Sequence, residues 1–210
     1  MPRVLLIRHA QSTANRRGVL TGQTPGVSLS AQGRVQSQEL ALRLGKAKLS
    51  QLRVSPMQRC IETIEPWINA QRKFQSESLI VDHGVNELDF GDWTGRKISS
   101  VSMTREWARV QKQASKAKFP NGESLKQVQR RARSSFDEAV STRGRGAIGI
   151  VTHADVIKVL VADLLNLHLD EFQKIVIDNA SVTVFDYNKG KVKLLTLNDS
   201  RSQLSDLING

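Results

Sequence analysis

The stretch Val4-Leu5-Leu6-Ile7-Arg8-His9 constrains this chain more than any other, because an unbroken apolar run stops abruptly on an arginine and a histidine. An alternating pattern would mark a strand with one wet face. A short continuous run bounded by polar residues marks a strand covered on both faces, as in a parallel sheet between helices. In open α/β sheets the ligand crevice lies just beyond the carboxyl ends of such strands, so Arg8 and His9 stand where chemistry is expected. Ala147-Ile148-Gly149-Ile150-Val151-Thr152-His153 repeats the arrangement, with an apolar strand delivering a second histidine.

Between these strands, Gln11 to Val27 reads as a long loop rich in Gly, Thr, Gln and Arg, of the kind that more often serves function than idles. Ser30 is placed to cap a helix through about Lys46 whose apolar residues Val35, Leu40, Leu42 and Leu44 suggest a core-facing side. Leu49 to Val54 reads as a second strand. Ser55-Pro56 then reads as N-cap and first turn of a helix to about Asn69, placing Arg59 near its start. Leu79 to Val81 is a short third strand, and His83 to Arg96 an irregular loop carrying Glu87, Asp89 and Asp92. Ser102 to Lys118 and Ser124 to about Thr142 are expected helical, the second with a basic face of Arg130, Arg131 and Arg133 read as solvated. A helix from Ala154 to about Leu167 and a hairpin turning at Asn188-Lys189-Gly190 complete the chain.

Strand-to-helix succession argues for right-handed βαβ units. The fold expected is therefore α/β: a three-layer sandwich with a largely parallel mixed central sheet flanked by helices and a C-terminal β-hairpin. The 210 residues suit one domain spanning 1–210, with a frayed tail from about residue 199.

Composition narrows the function classes. With 39% hydrophobic and 24% charged residues the chain reads as an ordinary globular protein, with neither a membrane-spanning run nor a signal-peptide pattern, and a cytoplasmic setting is expected. The single cysteine, Cys60, excludes an internal disulfide, and no phosphate-cradling loop follows it, which sets aside a cysteine-dependent phosphatase. The net charge of +11 favours anionic ligands without naming one, and aromatics at 5% supply few platforms for nucleic-acid bases, so nucleic acid is not the expected partner.

Arg8, His9, Arg59, Glu87 and His153 all fall at the beginnings or ends of elements. Two guanidinium forks and two imidazoles would suit a phosphoryl group, since Arg pairs bidentately with phosphate and stays charged. Asn15, the Thr21-Gly22 turn and the backbone N–H of Ala154 are candidate further donors.

The motifs carrying these residues resemble, in order, those of the histidine phosphatase superfamily, which includes the cofactor-dependent phosphoglycerate mutases. Leu6-Ile7-Arg8-His9-Ala10-Gln11-Ser12-Thr13-Ala14-Asn15 is similar to its Arg-His-Gly signature, and Ser55-Pro56-Met57-Gln58-Arg59-Cys60-Ile61-Glu62-Thr63 to its Ser-Pro-x-x-Arg helix start. Glu87-Leu88-Asp89-Phe90-Gly91-Asp92-Trp93-Thr94-Gly95 resembles its acidic loop, Val151-Thr152-His153-Ala154 its second histidine motif, and Asn179-Ala180-Ser181-Val182 a stretch common before its terminal hairpin. The resemblance implies a phosphoglycerate mutase-like fold in which His9 attacks phosphorus and becomes phosphohistidine. Arg8, Arg59 and His153 would hold the equatorial oxygens, and Glu87 would act as general acid, with a raised pKa beside phosphate and with Asp89 or Asp92 as substitutes. No metal and no cofactor are implied. Ala10 and Ala154 stand where glycine is usual, Gln11 and Ser12 where Glu and Thr are common, and Asp155, one residue from a phosphate-facing amide, is expected to face solvent.

The reading that follows is a phosphatase of small phosphorylated metabolites. A phosphoglycerate mutase, which would need a bisphosphoglycerate primer, is the alternative. A second alternative is a basic module binding nucleic acid or an acidic partner through Arg130, Arg131, Arg133, Arg143 and Arg145. The terminal hairpin edge leaves a homo-oligomer open.

Overall fold

The computed structural model describes residues 3–71, 76–142, 144 and 146–209. Its elements follow in order as β1 Arg3–Arg8, α1 Thr13–Arg17, α2 Ala31–Leu44, β2 Leu49–Val54, α3 Gln58–Ala70, β3 Leu79–Val81, α4 Ile98–Val101 and α5 Arg105–Lys112. Then come α6 Leu125–Ser141, β4 Ala147–Thr152, α7 Ala154–Leu164, the hairpin of β5 Val182–Asn188 and β6 Lys191–Asp199, and α8 Ser205–Asn209. The strands form one sheet in the order β3-β2-β4-β1-β5-β6. The first four are mutually parallel, and β5 pairs antiparallel to both β1 and β6.

The central strands are covered on both faces, which is why they are apolar throughout: all six residues of β4 are buried, as are Val4 to Ile7 of β1. One face carries Leu6, Ile150, Phe136 of α6 and Leu160 of α7. The other carries Leu5, Ile7, Leu40 and Leu44 of α2, and Ile64 and Trp67 of α3. The expected three-layer architecture with a C-terminal strand pair is the one observed. No helix among the described residues is long and apolar enough to cross a membrane.

Several local expectations are corrected. The loop over 11–27 contains α1, built on a capping box in which the Ser12 side chain accepts the Asn15 N–H and the Asn15 side chain accepts the Ser12 N–H. The asparagine, where Glu or Gln is usual, hid the signal. In α2, Leu40 and Leu44 are buried, but Val35 and Leu42 are 49% and 74% exposed. The buried stripe continues instead through Ser37 and Gly33, and a Cβ on Gly33 would lie 2.0 Å from the Gln11 carbonyl oxygen. Small residues let this helix approach the loop leaving β1, so its inward face is not its most apolar one.

Beyond residue 199 the chain turns back onto the fold and ends in α8. Arg43 Nη2 donates to Asp199 Oδ1 at 2.9 Å and Arg43 Nε to the Ser202 carbonyl at 3.1 Å, while Leu204 and Ile208 of the last segment are buried against α2 and α3. The expected helix 102–118 is broken into α5 and a short 3-10 turn at Ala114–Lys116, with the one-turn α4 just before it, and α7 stops at Leu164.

Candidate active site

Parallel pairing of β1 with β4, in the register Arg8 opposite Thr152, brings the two strand ends level and sets His9 beside His153. Their ring centroids are 5.1 Å apart at 64°. His9 Nδ1 lies 2.7 Å from the carbonyl of Ala10, which can only accept, so Nδ1 carries the proton and Nε2 the free lone pair. Burial first, with the charges of Arg59 and Arg8 adding to it, pushes the His9 imidazole well below its usual range. The ring is therefore neutral, with a nucleophilic nitrogen, at any pH near neutrality.

Arg59, on the first turn of α3, is 2% exposed and reaches across the pocket: its Nη2 donates to the Gly22 carbonyl at 2.9 Å and lies 3.7 Å from Glu87 Oε2. Arg8 Nη1 donates to the Ile177 carbonyl at 2.6 Å. Of three guanidinium nitrogens buried without a partner among the described residues, two, Arg8 Nε and Arg59 Nη1, belong to this site, the third being Arg3 Nη1. Unpaired buried donors are costly, and on cations they are the donors an oxyanion would satisfy.

Glu87 Oε2 lies 3.2 Å from His153 Nδ1, and its Oε1 accepts the Leu88 N–H at 3.0 Å. His153 Nε2 is 2.8 Å from Ser55 Oγ. Burial pushes His153 down toward neutrality despite Glu87. The carboxylate can only accept, so Nδ1 carries the proton that faces it, while the Ser55 hydroxyl donates to Asn86 Oδ1 at 3.2 Å. Burial alone would raise the Glu87 carboxyl. The hydrogen bond from His153 Nδ1, the Arg59 guanidinium and the Leu88 N–H outweigh it and hold the group below the usual carboxylate range. The raised pKa expected from the sequence is thus not the resting state, because the cations surrounding Glu87 favour its charge. His9, Glu87 and His153 offer ligand atoms within 4.8 Å of one another, a spacing that would admit a metal ion. The two guanidiniums at the same place suit an anion instead.

Ser55, expected as a helix cap, is not one: the N-cap of α3 is Met57, without a side-chain bond. The Ser55 hydroxyl is spent on the site. Asn15 Oδ1 accepts from Ser12 and lies 3.5 Å from Asn179 Nδ2, leaving its own amide nitrogen as a donor. Gly22 meets the site through its carbonyl, whereas the Thr21 carbonyl accepts locally, from the Thr24 N–H at 2.9 Å. Ala154 opens α7, where first-turn N–H groups have no helical partner. Asp155 does not simply face solvent. Its side chain is 32% exposed and 3.8 Å from Lys158, and burial pushes its carboxyl up, with Lys158 opposing and Glu87 adding to the rise.

Asp89 and Asp92 serve the loop itself, the first accepting the Gly91 N–H at 2.9 Å and the second the Asn121 side chain at 3.0 Å. Gly91 has φ +53°, and a Cβ there would lie 2.0 Å from the Pro120 carbonyl oxygen, so the acidic loop is laid directly on the 119–122 turn. Trp93 packs that loop down, 5.2 Å from Phe119 between ring centroids.

The basic face expected on α6 is largely engaged. Arg133 pairs with Asp137 and Asp163, both at 2.9 Å. Arg131 donates to the carbonyls of Gly84, Asn86 and Glu87 and pairs with Glu123. Arg130 lines a shallow surface cavity, and Arg143 and Arg145 lie outside the described residues.

Fold and site together define an α/β protein in which two facing histidines, two arginines and a glutamate are drawn together. The chain belongs to the histidine phosphatase superfamily (branch 1), whose family model matches residues 4–200. It is 26% identical over 200 residues to phosphoserine phosphatase 1 of Hydrogenobacter thermophilus, covering 94% of this chain and 92% of that protein. It is also 26% identical over 203 residues to a 2,3-bisphosphoglycerate-dependent phosphoglycerate mutase of Thermoplasma acidophilum, covering 91% and 90%. The solved structure of Bacillus stearothermophilus YhfR superposes with a TM-score of 0.87 over 95% of this chain and 98% of that one, at 23% identity, a likeness of fold.

Proposed function

We propose that this protein hydrolyses the phosphomonoester of a small metabolite through a phosphohistidine on His9. The observation that carries the reading is the fixed tautomer of His9: Nδ1 is tied to Ala10, and Nε2 is left free beside two guanidiniums with unpaired N–H groups. His9 Nε2 forms a bond to phosphorus as the bond from phosphorus to the ester oxygen breaks, Arg8 and Arg59 hold the non-bridging oxygens, and His153 turns the Nδ1–H it shares with Glu87 at rest onto a third. The departing alkoxide takes a proton from Glu87. In the second half, water gives a proton to Glu87 and its oxygen displaces Nε2 from phosphorus, restoring neutral His9. Asn15 and the Ala154 N–H serve the phosphate at its edge, and Thr21 and Gly22 form a wall of the pocket. The guanidiniums supply the countercharge, so the reaction as written needs no metal or cofactor.

Glu87 is ionised at rest, so its first proton arrives with the substrate monoanion, whose second pKa is about 6. The sign of the pH dependence follows. His9 is pushed below its usual 6.5, so acid inactivates only well under that value, and activity falls as pH rises past about 6 and the monoanion is lost. A kcat/KM profile is expected to be highest on the acid side of neutrality. One that climbs through pH 7 to an alkaline plateau would contradict this proton route.

Quenching the enzyme in alkaline denaturant during turnover of a 32P-labelled monoester should trap label on His9 that is stable to base and lost in acid, with inorganic phosphate as product. Clean isomerisation of phosphoglycerate without phosphate release would instead establish the mutase, the activity named for the Thermoplasma relative.

A further inference from the structure

The loop bearing Glu87 is bound from beneath by a single side chain of α6, and we propose that Arg131 is a positioning residue for proton transfer, setting where the Glu87 carboxyl stands without touching substrate. The proposal rests on the role given to Glu87 above. Arg131 Nη1 donates to the carbonyls of Gly84 at 2.9 Å and Asn86 at 2.7 Å, and Nη2 to that of Glu87 at 3.1 Å. Three carbonyls in four consecutive residues thus converge on one planar fork. The other side of the fork is closed by Glu123, which takes Nε at 2.9 Å and Nη2 at 3.0 Å. Glu123 is itself stitched to the loop: its Oε2 accepts the Asp89 N–H, and its own N–H donates to the Asp89 carbonyl, both at 3.0 Å. Residues 84 to 89 are bracketed at both ends, with Glu87 between.

Lysine cannot reproduce this, because its donors radiate from one atom and do not form a rigid fork. Glu123 offsets the guanidinium's charge, so the main action of Arg131 is mechanical, although its field also helps keep His153 neutral. Misplacing a catalytic group by about 1 Å can cost on the order of a hundredfold in rate. That cost falls only on steps that need Glu87.

The test uses two aryl esters of the same phosphate. Phenyl phosphate leaves as phenoxide, whose conjugate acid has a pKa of about 10 as in a tyrosine side chain, and so needs a proton. 2,4-Dinitrophenyl phosphate leaves as a stable anion and needs none. Arg131→Met and Arg131→Lys are expected to lower kcat/KM for phenyl phosphate about ten- to hundredfold, and for the dinitrophenyl ester by no more than about threefold. Inhibition by inorganic phosphate should be unchanged. Glu87→Gln should show the same selectivity, and adding Arg131→Met to it should cost little more, since both remove one function. An equal fall on both esters, or none on either, overturns the clamp. If Arg131→Met does not fold, Glu123→Gln loosens the same fork from its far side, and an unchanged ester selectivity in that folded variant is equally decisive. A wild type inactive on both esters would remove the phosphatase reading and this role with it. A wild type active on both, beside an unselective Arg131→Lys, removes only the clamp.

Discussion

Replacing His9 with alanine is expected to lower kcat by about 10⁵, the order of loss seen when a covalent nucleophile is taken from a site that keeps its charges. No neighbour can take over. The His153 ring faces Glu87 through one nitrogen and Ser55 through the other, and the Cys60 thiol is buried and pushed up to about 12, chiefly by desolvation. The cations that hold phosphate are untouched, so inorganic phosphate should still bind the His9→Ala protein within a few-fold of wild type by calorimetry, while no phosphoenzyme forms. Turnover above about a hundredth of wild type would mean that another group attacks phosphorus.

Arg59→Met has the second largest expected effect. The guanidinium lies 3.7 Å from Glu87 and 3.3 Å from His153 Nδ1, so in the proposed reaction it would face the phosphoryl group while helping to keep Glu87 ionised. Losing such a positioned charge should lower kcat/KM by about 10³, in line with other preorganised donors to a developing negative charge. The Glu87 carboxyl loses one of the cations that hold it down, so its pKa should rise and the pH profile should change shape as well as height. Stability should move far less than activity. Arg59 Nη1 has no protein partner, and a methionine of similar length fills the same buried space without that cost. Stopped assays across pH and a thermal melt on the same sample check both, and an unchanged kcat/KM would take Arg59 out of the site.

What the sequence discloses, it discloses through periodicity and position. Val4 to Ile7 and Ala147 to Ile150 are apolar because helices cover both faces, and that pattern alone places His9 and His153 at strand ends; that the two strands are neighbours comes only from their pairing. The hairpin was equally legible from its turn. What stayed hidden depends on contacts between segments far apart in the chain. Ser55 looks like a cap until Asn86 and His153 are beside it. Arg131 looks like one more surface cation until the loop at 84–89 is folded over it. The inward face of α2 is made of Gly33 and Ser37 as much as of leucine, so no hydrophobicity count finds it. The tail packs because Arg43, 156 residues away, takes Asp199.

The sulfur under the second imidazole gives this molecule a built-in clock. Cys60 Sγ is 3.5 Å from His153 Nε2, fully enclosed, and free of any disulfide. An alkylating reagent can reach it only when α3 lifts away from β4, which also dismantles the pocket. The rate at which the thiol is consumed therefore reports how often the two layers part, and a ligand that fills the anion pocket should slow it in proportion to its occupancy.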